Sequence, residues 1–265
     1  MASLPVVGEA AFTEMKMLFR QILYGSVLVG VTLLLTGADA SIKSGVSGSV
    51  ATSMTGTSAR NGASAKAHAS APITLSAYAE ELAKILNFDR KVLLLIKQEA
   101  NGHIHRLIGF DEDGYQIFAP GIAVQVPEDR TDHILDSLRK KLPRQYMAFV
   151  VEMNEGMKTD TIGILKGTDQ YEILRIMQTG GEEYDITNQD VIDQLKEWEK
   201  TASFAIVGAD SDWVEIEFTS LPKDLKGFVE EVYDFCPDAV DQGPGSVDGL
   251  ISDIKRTRRL FLWWD

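Results

Sequence analysis

The spacing of apolar residues predicts three helices in the first half of the chain's folded body. Residues 75–87 have an apolar side chain every three or four positions, which is typical of a helix with one buried face. Residues 90–100 carry a broader apolar face and indicate a second helix, with a buried strand as the alternative. Asp129 is placed to cap a third helix, whose buried stripe runs to Leu142.

Alternating apolar and polar positions predict several strands. Residues 104–108 and 114–118 flank the Asp113-Gly114 step, a strong turn signal, and so predict a hairpin. Further strands are predicted at residues 122–126, 146–153, 161–165, 204–207 and 213–218. The chain closes on the apolar run 259–265, which we expect to pair inside the sheet.

Helix signals continue between the later strands. Residues 170–177 form a short amphipathic segment, Thr187 with Asp190 has the spacing of a helix cap, Pro222 opens another helix and Ser246 caps the last one. Together the elements predict an α+β fold, a mixed α/β sandwich. Its sheet is mainly antiparallel, helices pack on it, and the C-terminal strand lies within it.

The N-terminal region has the layout of an export signal. Lys16 and Arg20 precede an uncharged apolar run at residues 22–35, and Ala38-x-Ala40 fits a signal peptidase, so residues 1–40 predict a signal segment cleaved after Ala40. This places the protein in the periplasm or otherwise outside the cytoplasm. A retained segment would instead anchor the chain in the membrane through residues 18–35. Residues 1–14 are either a misplaced translation start or a short N-terminal extension.

The rest of the chain divides by composition. Residues 41–73 are nearly all Gly, Ser, Ala and Thr and predict a flexible linker. Two α/β parts follow, residues 74–166 and residues 167–265, which we expect to share one core.

Charge narrows the classes of partner. The chain has a net charge of −13, and residues 74–265 hold 21 Lys and Arg against 36 Asp and Glu. Such a body repels phosphate backbones, so we predict no nucleic-acid partner. A basic protein partner and simple solubility both remain open. Cys236 is the only cysteine, so no intrachain disulfide forms, and the sequence predicts no cofactor and no metal site.

One strand suggests a surface for contact with a partner. Trp213, Glu215 and Glu217 share a strand face opposite the apolar residues, and an aromatic side chain among carboxylates is typical of a hot spot for a basic protein such as a toxin. The partner-binding residues predicted on this basis are Trp213, Glu215, Glu217, Asp212, Asp238 and Asp241. A layer of helices over that face would make it core instead.

An enzyme, most concretely a hydrolase, is the alternative function. Cys236 could be a nucleophile if a nearby base lowered its pKa, and it precedes the loop at residues 240–246. No catalytic residue is assigned, but a carboxylate pair for acid and base chemistry could come from these positions: Asp169, Glu172, Glu182, Glu183, Asp185, Asp212, Glu215, Glu217, Asp238 and Asp241.

Several runs in the second half resemble a known family. They are residues 165–175, 213–215, 222–224, 232–238, 240–243 and 262–265. Together they resemble the bacterial family known as domain of unknown function 4253, most strongly from Gly167 to Asp265 and more weakly back through residues 109–114. The resemblance implies no activity, cofactor or catalytic residue. Members occur near secreted toxins, which implies an immunity role, and the signal segment departs from the usual leaderless form.

Overall fold

The computed structural model describes residues 73–154 and 158–264. The predicted signal segment, residues 1–40, and nearly all of the predicted linker therefore lie outside the described residues. Within the described ranges, no helix has the length and apolar content needed to cross a membrane.

The described residues up to Lys166 contain three helices and four strands. They are α1 (Ala77–Ile85), α2 (Arg90–Ala100), β1 (Ile104–Phe110), β2 (Gln116–Pro127), α3 (Thr131–Lys141), β3 (Tyr146–Asn154) and β4 (Thr159–Lys166). Residues 90–100 are helical, so the strand alternative for them is wrong. Their helix begins after Asp89, whose carboxylate accepts a hydrogen bond from the Lys91 amide at 2.8 Å. Asp129 does not cap α3, because it lies within a 3-10 helix at Glu128–Arg130 that leads into it.

The sequence predicts a hairpin arm at residues 114–118 and a separate strand at 122–126, but the two form the single strand β2. Pro120 lies inside it, between pairs Ile108–Phe118 and Arg106–Ile122, where the register shifts. Proline lacks an amide donor and is tolerated at such an irregularity. Pairing with β4 starts only at Gly121, so Pro120 removes no hydrogen bond on that side.

The second half contains five helices and three strands. They are α4 (Tyr171–Met177), α5 (Asn188–Trp198), β5 (Ser203–Ala209), β6 (Trp213–Ser220), α6 (Leu225–Phe235), α7 (Asp238–Asp241), α8 (Val247–Thr257) and β7 (Arg259–Trp263). The predicted caps Thr187 and Ser246 are confirmed, the former as a full capping box with Asp190. Pro222 does not open α6, since Asp224 accepts from the Gly227 amide and caps it.

All seven strands form one sheet in the order β1-β2-β4-β3-β5-β6-β7. Every neighbouring pair is antiparallel except β3 with β5. The predicted fold class is confirmed, including the place of the C-terminal strand, which pairs with β6 from Trp213–Trp263 to Glu217–Arg259.

Helices cover both faces of the sheet. On one face, Phe218 of β6 packs edge to face on Phe228 of α6, which also contacts Trp198 of α5. On the other face, α3 reaches Glu217 and Arg259 through ion pairs. Because adjacent strand residues point to opposite faces, these contacts define a sheet between two helical layers.

Strand β3 joins the two halves. It lies between β4 and β5, although both of those follow it in sequence. Its residues Phe149 and Val150 are buried at 0% and 6% exposure. Residues 167–265 alone would therefore lose β3 as the sheet neighbour of β5, and would lose the helix that pairs with Glu217 and Arg259.

We predict that a fragment spanning residues 167–265 does not unfold cooperatively, whereas residues 73–265 unfold in one sigmoidal transition. The fragment exposes the β5 edge and loses the ion pairs that Glu217 and Arg259 make with α3, which removes contacts that stabilise it. Urea denaturation followed by far-UV circular dichroism tests this. A steep transition of the fragment, with a midpoint near that of residues 73–265, would contradict it.

Candidate functional site

The strand face predicted to bind a partner is mostly covered. Trp213 is only 6% exposed and its ring stacks on Phe261 with 5.3 Å between centroids. A Cβ added to Gly208 would lie 2.8 Å from the Trp213 ring, so this glycine leaves room for the indole. Glu215 is 2% exposed. Trp213 and Glu215 therefore belong to the core, which was the alternative to a partner-binding surface. They cannot touch a partner in this conformation.

Charges on α3 explain why carboxylates are tolerated on that face. Arg259 lies between Asp132 of α3, at 2.7 Å, and Glu215, at 3.6 Å. Glu217 pairs with Arg139 of α3 at 2.6 Å and is a third exposed. Burial lowers the pKa of Arg259, but Glu215 and Asp132 outweigh burial and raise it. Removing one partner of a buried pair costs about 3 kcal/mol or more, so charge reversal here would test stability rather than binding.

Asp238 and Asp241 occupy different environments. Asp238 is 6% exposed and accepts hydrogen bonds from the Tyr184 hydroxyl and the Gln242 amide, both at 2.8 Å. Asp241 is exposed and accepts from the Tyr233 hydroxyl. Asp238 thus holds the loop that carries Tyr184, while Asp241 remains accessible.

Cys236 is inaccessible in the core. It is 0% exposed, and its thiol donates to the carbonyl oxygen of Trp263 with 3.0 Å between sulfur and oxygen. Burial raises the pKa of the thiol to about 12. A nucleophile needs the thiolate, so this geometry does not support the role of Cys236 in the hydrolase alternative.

Several other predicted carboxylates meet in a large open cavity of about 1270 Å³, which we call the acidic groove. Its walls are the β1–β2 turn, the segment between α4 and α5, the β5–β6 turn and Trp264. The seven carboxylates that line it are Asp111, Glu112, Asp113, Glu182, Glu183, Asp185 and Asp212. Cys236, Asp238 and Asp241 are not among its lining residues.

Hydrogen bonds fix the segment between α4 and α5 against the β5–β6 turn. Thr179 donates its hydroxyl to the Asp210 carbonyl at 2.7 Å, and the Gly180 amide donates to the Ser211 carbonyl at 2.8 Å. A Cβ on Gly181 would lie 2.5 Å from the Trp264 ring, so glycine permits close contact there. With Tyr184 bonded to Asp238, the acidic wall at residues 182–185 is held at both ends.

One basic side chain lies among these carboxylates. Among the described residues that line the acidic groove, Arg175 is the only basic one. Its guanidinium is already paired with Asp169 at 2.9 Å and Glu172 at 3.1 Å. The hydrogen bond from Arg175 lowers the pKa of Asp169, which keeps that carboxylate charged. The acidic groove therefore presents a strongly negative surface.

The chemistry open to this groove is the binding of cations. No group of three or more His, Cys, Asp or Glu in the described ranges is arranged to hold a metal ion. Carboxylates from three separate segments, five of them exposed, suit Lys and Arg side chains, which reach them from solvent. Sequence reasoning named Glu182, Glu183, Asp185 and Asp212 as candidates. It treated residues 111–113 only as a turn, although three consecutive acids were the available signal.

Comparison with known proteins relates the C-terminal part of the chain to one family. Residues 161–265 match the family model described as Domain of unknown function (DUF4253). The C-terminal part of this α+β protein therefore matches that family, as the sequence resemblance predicted. The match does not reach the hairpin at residues 109–114. No curated protein and no solved structure matches the chain significantly.

The matched region supplies only part of the acidic groove. Residues 182–185 and Asp212 lie inside it, whereas Asp111, Glu112 and Asp113 come from the preceding hairpin. Strand β3, which separates β4 from β5, also precedes it. The acidic groove is thus built by the matched region together with residues before it.

We predict that Cys236 does not react with a thiol reagent in the folded protein at pH 8 and reacts fully in urea. The raised pKa leaves almost no thiolate, and burial blocks access. Absorbance of the thiolate released from an aromatic disulfide reagent measures this. Rapid stoichiometric labelling without denaturant would show that the thiol is open to chemistry.

Proposed function

We propose that this protein is a protein-binding module whose acidic groove receives a basic surface of another protein. In its most concrete form, it is an exported immunity-type protein that neutralises a basic toxin by occluding it. The observation that carries the binding proposal is the concentration of seven carboxylates around one cavity, with Arg175 already paired.

Two features favour a binding role over solubility alone. The carboxylates lie in a concavity rather than being spread along helix faces. A cleft with low-dielectric walls and charges of one sign concentrates the electric field that attracts an opposite charge. The wall at residues 182–185 is also held by hydrogen bonds before any partner arrives. A preorganised wall loses less conformational entropy on binding than a mobile one would.

The toxin and export parts of the proposal have a different basis. They rest on the family resemblance and on the pattern of residues 1–40. The hydrolase alternative gains no support at Cys236, because the thiol is buried and burial raises its pKa to about 12. We therefore do not propose it.

We predict that neutralising the wall with Glu182→Gln, Glu183→Gln and Asp185→Asn weakens binding of a short peptide of alternating lysine and serine by about tenfold. Each exposed charge pair contributes about 0.5 kcal/mol, and three of them correspond to roughly that factor. Isothermal titration calorimetry at low ionic strength measures the dissociation constant.

A matched variant separates the groove from overall charge. Glu197→Gln, Glu230→Gln and Glu231→Gln remove the same charge from α5 and α6, outside the groove lining. This control should bind the peptide within about twofold of wild type. Equal weakening in both triple variants would mean that only net charge matters, and an unaltered groove variant would remove the groove from the proposal.

We further predict that the exported form begins at Ser41. Recognition of the small residues Ala38 and Ala40 by a signal peptidase would remove residues 1–40. Intact-mass spectrometry of the protein from a periplasmic fraction gives its N-terminus. A full-length chain in the membrane fraction would indicate anchoring by residues 18–35, and a full-length chain among soluble cytoplasmic proteins would contradict export.

A further inference from the structure

A smaller apolar cleft adjoins the acidic groove. Its cavity of about 500 Å³ has five apolar lining residues, Phe110, Ile117, Ala119, Pro120 and Ile176. Residues 111–113, Arg175 and Gln178 line both cavities, so the cleft and the groove form one continuous surface. The volume is within the range that accommodates a large side chain or small ligand.

The cleft is formed by the close approach of α4 to the hairpin. A Cβ on Gly109 of β1 would lie 2.5 Å from the carbonyl oxygen of Ile176 at the end of α4, so only glycine allows this contact. Asp111 accepts hydrogen bonds from the amides of Asp113 and Tyr115 and fixes the hairpin turn. The cleft therefore has a defined shape in the unbound protein.

Ile117 gives the cleft an accessible apolar wall. It is 43% exposed, whereas Ala119 and Ile176 are buried. A concave site lined by apolar side chains, with a few polar groups at its edge, is typical of a binding pocket. The rim here is acidic, since Asp111, Glu112 and Asp113 surround the opening.

We propose that the apolar cleft is an anchor pocket for the same basic partner that the acidic groove receives. The recognised segment would carry one large apolar side chain, which enters beside Ile117, and Lys or Arg residues next to it, which lie along the groove. This inference rests on the proposed function and adds the class of segment that is bound. An anionic membrane surface is disfavoured as the occupant because residues 111–113 would repel it.

The neighbouring residue Phe118 provides a matched control. It is 68% exposed but lies on the opposite face of β2, because adjacent strand residues alternate, and it does not line the cleft. The Arg106 guanidinium lies over its ring, 5.3 Å from the centroid. Phe118→Ser and Ile117→Ser therefore each remove an exposed apolar side chain, but only the second changes the cleft.

The test compares two peptides of equal charge by calorimetry: the lysine–serine peptide, and the same peptide with one central serine replaced by tryptophan. Wild type should bind the tryptophan peptide about tenfold tighter, which corresponds to partial burial of one large apolar side chain. Ile117→Ser should reduce this gain to below about twofold and leave affinity for the lysine–serine peptide unchanged, while Phe118→Ser should keep the gain. Thermal unfolding confirms that both variants remain folded.

The outcomes distinguish the two proposals. If the lysine–serine peptide binds but tryptophan brings no gain, or the gain survives Ile117→Ser, the anchor pocket is wrong and the acidic groove stands. If Phe118→Ser removes the gain as fully as Ile117→Ser does, tryptophan is adsorbing generally and the pocket is again wrong. If the lysine–serine peptide itself does not bind, the proposed function fails, and the anchor pocket fails with it.

Discussion

The insertion of β3 between β4 and β5 is the constraint on which the rest of the structure depends. Strands β4 and β5 follow one another in sequence, yet they do not pair with each other, because β3, which precedes both, lies between them and pairs with each. The sheet therefore forms completely only when both halves of the chain are present. In the complete sheet, the β1–β2 hairpin and the loops of the second half have fixed relative positions. The acidic groove therefore has walls from both halves of the chain.

A second constraint is that a charged side chain buried on this sheet needs a hydrogen-bonding or oppositely charged partner. Glu215 is buried because Arg259 accompanies it on the neighbouring strand and Asp132 on α3 completes the set. The carboxylates of the acidic groove lie outside the strands, and five of the seven are exposed to water. Acidic residues of one sequence thus divide into a structural set and a surface set according to what packs over them.

The sequence indicated the local elements well because caps and periodicity act over a few residues. Thr187 with Asp190, and Ser246, satisfy the amides of their own helices and were recognisable from spacing. Asp129 and Pro222 failed as boundary signals, since better-placed neighbours determine where α3 and α6 begin. The sequence divides β2 at Pro120 into two predicted strands. The irregular pairing with β1 that accommodates this proline cannot be recognised from β2 alone.

The candidate site shows the limit of the same reasoning. Alternation correctly put Trp213, Glu215 and Glu217 on one face, but it carries no information about the helix that crosses that face. Likewise, nothing local relates Asp111 to Glu182 or Ile117 to Ile176, which meet only because α4 packs on the hairpin. By itself the sequence determined most of the helices and strands, the fold class, the acidic character and the resemblance of its C-terminal part to a known family. Only the tertiary structure decided which acids are buried, which share a groove and where an apolar cleft opens, because those properties depend on contacts between residues far apart in the chain.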